Sequence, residues 1–190
     1  MGDNPFLGDR GGVRTPMQWS SDRNAGFSRA DEIALYLPLV RSALYGYEAV
    51  NVEMQQQLRS SLLNWMRWVI RVRNAHRAFG RGEMIFLNPR NPKILAYLRR
   101  YETEIILCVA NLSETAQAAL LELAEYDGCT PVSLFGGSFF PSIGSVPYQI
   151  TLAGHSFFWL KLLGQEELQE RRSCPLEAMD QPDLPPPPFI

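Results

Sequence analysis

Between positions 8 and 19 the chain reads Gly-Asp-Arg-Gly-Gly-Val-Arg-Thr-Pro-Met-Gln-Trp, the stretch that gathers the most groups able to hold a polar ligand. The guanidinium of Arg14 is a planar fork of donors, the carboxamide of Gln18 carries both donors and an acceptor, and the indole of Trp19 offers a flat apolar face. That combination suits a sugar ring, with hydroxyls at its rim and C–H bonds on its faces. The backbone beneath these groups is a loop. Gly11-Gly12 admits positive φ, while Pro16 fixes its own φ and drives Thr15 out of the helical region. The same residues also suit a purely structural role, in which Asp9 pairs with an arginine and Trp19 closes the edge of a core. On the residues alone both readings stand.

Acid–base and metal chemistry find little support. Retaining glycosyl transfer needs two carboxylates about 5 Å apart. Asp3, Asp9, Asp22 and Asp31 instead lie in Gly- and Asn-rich segments, where aspartate forms turns and salt bridges. His76 closes a predicted helix, where an imidazole complements the carbonyl ends, and His155 follows Gly154 at the opening of a predicted strand. Two isolated histidines make neither a nucleophile–base pair nor a metal cluster. The glycines at 8, 11 and 12 neither follow a strand nor open a helix, so no phosphate cradle is expected, and no cofactor. Cys108, Cys129 and Cys174 are odd in number and lack a Cys-x-x-Cys pair; neither a disulfide framework nor a zinc site is expected, and a reducing, cytoplasmic setting is.

The surrounding elements follow from composition and period. The chain has 190 residues, 46% of them hydrophobic, enough for one domain or two small ones. A formal charge of −2 gives no basic field for nucleic acid. No stretch has the apolar length of a membrane span, and the first residues lack the pattern of a signal peptide. Met1-Gly2 is a weak myristoylation signal, because Phe6 stands where Ser or Thr is needed. Residues 1–30 read as one long loop and 31–59 as mixed, with a short helical turn at about 53–58. A helix is expected over 61–76: Leu62, Met66, Val69, Ile70 and Arg73 share one face, a serine can cap the start, and Gly80 follows the end. Its apolar stripe calls for cover.

From Gly82 onward the period is that of short strands, predicted at 83–87, 93–100, 104–112, 115–123, 131–135, 148–152 and 156–162. The unbroken apolar run from Ile105 to Ala110 predicts a central strand covered on both faces, and Tyr101-Glu102-Thr103 a hairpin turn before it. Such spacing points to an antiparallel sandwich or barrel. Residues 165–172 could form a frayed helix, and the four prolines at 185–188 predict polyproline II in a disordered tail.

Residues 8–19, with Asp22-Arg23-Asn24-Ala25-Gly26-Phe27-Ser28 after them, resemble the segment following the last barrel strand in family 13 glycoside hydrolases. The likeness continues through Tyr47-Glu48-Ala49-Val50-Asn51-Val52-Glu53, Ser61-Leu62-Leu63-Asn64-Trp65-Met66, Ala78-Phe79-Gly80-Arg81-Gly82 and Leu107-Cys108-Val109-Ala110-Asn111-Leu112-Ser113, covering about residues 1–163. Arg-Thr-Pro-Met-Gln-Trp is shared with α-glucosidases of that family. Leu35-Tyr36-Leu37-Pro38 and Ala110-Asn111-Leu112-Ser113 favour its trehalose synthase branch, the maltose glucosyltransferases.

The resemblance implies an α+β chain in three parts. Residues 1–81 would be the last loop and helix of a truncated (β/α)8 barrel, 82–163 an all-β antiparallel sandwich domain, and 164–190 a Pro-rich disordered tail unlike the family. Met1 would then be an internal methionine. The implied activity of the complete enzyme is interconversion of maltose and trehalose by retaining intramolecular glucosyl transfer. In the family the nucleophilic aspartate, the acid/base glutamate and the stabilising aspartate precede the point where Met1 falls, so this chain alone is expected to be inactive. Arg14, Gln18 and Trp19 are implied at the pocket rim, touching sugar or fixing the loop. The implied partners are maltose, trehalose or another α-glucoside in the complete enzyme, a separately encoded barrel half, and a maltokinase. A non-enzymatic β-domain binding carbohydrate or protein, and a piece of a related α-glucosidase, are the competing readings. A binding module would present rings in a plane, whereas Tyr97, Phe157, Phe158 and Trp159 sit in predicted strands and read as core.

Overall fold

The structure, a computed structural model, describes residues 13–173. Asp3, Asp9, Gly11-Gly12, Cys174 and the proline run lie outside the described residues. The chain forms two compact units that divide between Val69 and Ile70.

The first unit carries the loop segments and two helices. α1 (Val52–Gln57) opens on Asn51, whose Oδ1 accepts from the Met54 N–H at 2.9 Å while its Nδ2 donates to the Tyr47 carbonyl at 2.8 Å. α2 (Leu62–Ala75) follows after a tight corner and runs across the division between the units. Asn64 fastens the corner by donating from Nδ2 to the carbonyls of Gln55 and Leu58, both at 3.0 Å, which supplies partners to the carbonyl end of α1. Both helices fall where the sequence pattern places them. None of the fourteen residues of α2 is buried, and Leu62, Met66 and Ile70 are 45%, 41% and 48% exposed.

α2 ends within a residue of the expected His76, and what the sequence does not predict is the short helix that follows it. α2 ends at Ala75, His76 is extended (φ −114°, ψ 112°), and a second short helix, α3 (Arg77–Arg81), contains Gly80. The cause is a long-range capping group. The Glu104 carboxylate accepts from the Ala78 N–H at 2.9 Å and meets His76 Nδ1 at 2.7 Å, satisfying a free amide at the start of α3.

The second unit is a two-sheet antiparallel sandwich. Strands β1 (Glu83–Phe86), β2 (Ile94–Tyr101), β3 (Glu104–Asn111), β4 (Gln117–Leu121), β5 (Thr130–Ser133), β6 (Tyr148–Leu152) and β7 (Phe157–Leu163) lie within a few residues of the predicted spans. One sheet has the order β1-β2-β3-β7-β5 and the other pairs β4 with β6, every pairing being antiparallel. A two-residue turn joins β2 to β3, with Glu102 at φ 51°. β2 alternates: Ile94, Ala96 and Leu98 enter the core shared with Leu121 of β4, Leu152 of β6 and Leu160 of β7. β3 does not alternate, because its outer face is also covered. Ile106 and Cys108 lie under Ala78 and Phe79 of α3, while Leu107 and Val109 face the main core. The apolar run is thus a central strand buried on both sides. After β7, Gln165–Ser173 forms α4.

Candidate functional site

The loop that carries Arg14, Gln18 and Trp19 is fastened from below by its backbone. The carbonyls of Gln18 and Trp19 accept from the Val52 and Glu53 N–H groups at 2.9 and 3.0 Å, so the first free amides of α1 terminate on the loop. Gln18 adds a side-chain clamp: its Nε2 donates to the Tyr45 carbonyl at 3.2 Å and to the Val50 carbonyl. Both amide hydrogens are therefore committed to protein, and only its oxygen is left for a ligand. Arg14 is exposed and Trp19 is 50% exposed. The three residues do share one loop, but they divide by role: Gln18 is turned to the backbone, and Arg14 and Trp19 are turned to solvent.

A left-handed turn holds the far side of the loop. Asn24, Ala25 and Gly26 have φ of 57°, 59° and 65°, a conformation that costs a Cβ-bearing residue about 1–2 kcal/mol. The surroundings enforce it. The Ala25 carbonyl receives the Trp19 and Ser20 N–H groups at 2.8 and 3.1 Å, and Ala25 is fully buried. Asn24, 2% exposed, donates to the carbonyls of Ser28 at 3.1 Å and Ala30 at 2.7 Å. A Cβ on Gly26 would lie 2.5 Å from Ser20 Oγ. The sequence named this segment only through its resemblance. Asparagine and glycine flanking a small residue is the turn signal that could have found it.

Three carboxylates near the loop, Asp22, Asp31 and Glu32, have partners on its surface. Asp22 accepts from Ser20 Oγ at 3.0 Å, Asp31 pairs with Arg23 at 2.6 Å, and Glu32 with Arg41 at 2.6 Å. An apolar groove of about 420 Å³ runs beside Pro16, Met17 and Gln18 to Val40, Tyr45 and Leu63, and no carboxylate lines it. Such a groove can seat an apolar side chain or one face of a sugar, but it has no group to attack a glycosidic bond or protonate a leaving group. Among the described residues no group of His, Cys, Asp and Glu is placed to hold a metal ion. No helix of the described residues is long and apolar enough to cross a membrane.

In the second unit the titratable groups read as structural. Burial pushes the Cys108 thiol up to about 12, despite its hydrogen bond with Tyr97 and the nearby Arg99 guanidinium, and pushes the Tyr97 phenol up to about 12 as well. A thiol so poised is not a nucleophile. The rings of Phe79, Phe135 and Phe157 pack around Trp159 with centroids 4.5, 5.0 and 5.7 Å away and tilts of 47°, 32° and 57°. That is herringbone packing, not a flat platform for a sugar. His155, expected to open β7, sits instead in the preceding turn at φ 53° and donates its N–H to the Ser113 carbonyl at 2.9 Å. Asn111, known from the sequence only as part of the Ala-Asn-Leu-Ser resemblance, is a buried polar node. Its Nδ2 donates to the Thr115 and Ala153 carbonyls at 2.8 and 2.9 Å, and its Oδ1 accepts from Ser113 N and Oγ at 3.0 and 2.9 Å.

Comparison with known proteins gives these units relatives. Residues 6–82 match the family described as Alpha amylase, catalytic domain, and residues 84–159 match Maltogenic Amylase, C-terminal domain. The chain is 48% identical over 166 residues to a trehalose synthase of Pimelobacter sp. (strain R48), covering 85% of this chain and 29% of that protein. It is 51% identical over 158 residues to a trehalose synthase of Thermus thermophilus, covering 83% and 16%. Among solved structures it resembles an isomaltulose synthase from Klebsiella sp. LX3 with a TM-score of 0.58 and 25% identity, over 80% of this chain and 25% of that one. A trehalose-6-phosphate hydrolase of Bacillus licheniformis, at 19% identity and a TM-score of 0.61, shares the fold over 80% of this chain and 26% of its own. The chain thus spans under a third of the length of these relatives.

Proposed function

The chain belongs with the family 13 glycoside hydrolases as a homologue of the trehalose synthases, and from that premise we propose that it supplies the rim loop and C-terminal β-domain of an enzyme interconverting maltose and trehalose. In this reading residues 1–81 belong to the catalytic domain, 82–163 form the β-domain, and 164–190 are a tail outside both. The observation that carries it is the pairing of 48% identity with a loop whose backbone is fixed while Arg14 and Trp19 stay open to a ligand. Arg14 would donate to sugar hydroxyls and Trp19 would stack on a pyranose face. Gln18 holds the loop in place. The carboxylates that break and form the glycosidic bond belong to another part of the enzyme, because the groove beside this loop is lined by none and Asp22, Asp31 and Glu32 serve Ser20, Arg23 and Arg41. The protein works in the cytoplasm, in line with free Cys108 and Cys129.

The test is reconstitution. This chain is co-expressed with the part of the Pimelobacter trehalose synthase outside the aligned stretch, and trehalose formation from maltose is followed. Trp19→Ala and Arg14→Ala are expected to raise KM about tenfold or more with kcat less affected, because they orient sugar without attacking it. Equal activity of both variants and the unaltered chain would refute their contact with substrate.

A further inference from the structure

Trp19 is held at both polar atoms of its main chain. Its carbonyl accepts from the Glu53 N–H at 3.0 Å, at the start of α1, and its N–H donates to the Ala25 carbonyl at 2.8 Å. That carbonyl also takes the Ser20 N–H at 3.1 Å, so Ala25 fixes two successive peptide units. The indole is 50% exposed, and its direction follows the main chain that carries it.

Ala25 reaches this position through backbone that alanine disfavours. Asn24 and Ala25 stand at φ 57°, ψ 32° and φ 59°, ψ 26°, two left-handed residues in succession. Asparagine enters that region more readily than most residues with a Cβ, and alanine does not. The side chain of Asn24 pins the pair. It is 2% exposed, and its Nδ2 donates to the Ser28 carbonyl at 3.1 Å and the Ala30 carbonyl at 2.7 Å, while its own carbonyl accepts from the Phe27 N–H at 3.0 Å. Buried, and with its amide donors spent on the chain, Asn24 cannot touch a sugar. Arg23, its neighbour, joins the same two segments by pairing with Asp31 at 2.6 Å, but those side chains are 65% and 87% exposed, where an ion pair holds little.

Resting on the sugar contact proposed above, we infer that Asn24 is a positioning residue for Trp19. By holding the left-handed turn it sets where the Ala25 carbonyl stands, hence where the indole meets the sugar, and so it controls KM without contacting substrate.

The test reads the ring and the kinetics separately. The full chain is labelled with 5-fluorotryptophan, and the fluorine resonances of its four tryptophans are recorded for the unaltered chain, Asn24→Ala, Asn24→Gly and Arg23→Ala, with Trp19→Phe assigning the Trp19 line. Each chain is then co-expressed with the part of the Pimelobacter trehalose synthase outside the aligned stretch, and KM and kcat for maltose are read, also for Trp19→Ala alone and combined with Asn24→Ala. Asn24→Ala is expected to move or broaden the Trp19 line, to leave those of Trp65, Trp68 and Trp159 in place, and to raise KM about fivefold with kcat less affected. Asn24→Gly keeps the left-handed region and loses the donors, so its effects are in the same direction and smaller. Arg23→Ala should change KM by less than about twofold. Added to Trp19→Ala, Asn24→Ala should raise KM by less than about twofold more, because an absent ring cannot be misplaced. A Trp19 line unmoved in both Asn24 variants, movement of all four lines in both, or KM increases that multiply in the double variant would overturn the inference. Equal KM for Trp19→Ala and the unaltered chain would instead refute the sugar contact proposed above, and the fluorine spectra would still decide whether Asn24 places the ring.

Discussion

Replacing Asn111 should damage the β-domain more than its size suggests, and the direction of the damage identifies the cause. Asn111 ends β3, is 3% exposed, and makes four good hydrogen bonds, two donated to carbonyls and two accepted from Ser113. A third contact, to the Leu152 carbonyl at 3.4 Å, shares one of the same amide hydrogens. At a net value of about 1 kcal/mol for each good bond, Asn111→Ala should cost about 3–4 kcal/mol. Asn111→Asp keeps the volume but turns the donor into a carboxylate facing carbonyl oxygens. Its cost should be at least about 4 kcal/mol at pH 7 and smaller at pH 4, because protonation restores one donor. A cavity would give the opposite order, since alanine empties space and aspartate does not. The assay is urea unfolding of the full chain followed by the β-sheet circular dichroism signal at both pH values. An Asn111→Asp cost below about 1 kcal/mol, or one independent of pH, would refute the hydrogen-bond argument.

Other expectations are more local. Trp159 is half-buried, so Trp159→Ala should cost about 2–3 kcal/mol, below the range for emptying a fully buried aromatic site; a loss under about 1 kcal/mol in the same assay would mean the ring is free for a ligand. Burial raises the Glu104 carboxyl, but the His76 ring, the Ala78 N–H and the nearby Lys161 charge outweigh it and hold the carboxyl below its ordinary value. Stability from this group is therefore full above its unfolded value of about 4.3 and is lost as pH falls through the lower folded value. Glu104→Gln should flatten that acid limb, and an unchanged limb would assign it elsewhere. Ile33, in a single 3-10 turn, and Tyr36, beyond it, are 99% and 96% exposed, so limited proteolysis should cut first within residues 31–37; first cuts between β2 and β3 would contradict this.

The β-domain was legible because period and turn chemistry act locally. The run from Ile105 to Ala110 named a strand buried on both sides, and Glu102-Thr103 named its turn. What escaped the sequence depends on contacts far along the chain. The short helix α3 is capped by Glu104, 26 residues beyond Ala78, and no local signal announces a cap that arrives from another strand. Gly80, read from the sequence only as lying past the helix end, sits inside α3, since a docked helix tolerates a glycine that an isolated one would not. At the candidate site the residue types of Arg14, Gln18 and Trp19 were legible, but their division of labour was not. Which way a carboxamide turns is decided by the carbonyls of Tyr45 and Val50, more than 25 residues along.

The claim that this chain positions sugar while the chemistry lies elsewhere is tested most directly by product analysis of the purified 190-residue chain with maltose and with trehalose. The account predicts no turnover from the chain alone and glucosyl transfer when the catalytic portion of a trehalose synthase is added. Sustained turnover by the chain alone, abolished by Asp22→Asn or Asp31→Asn, would contradict it.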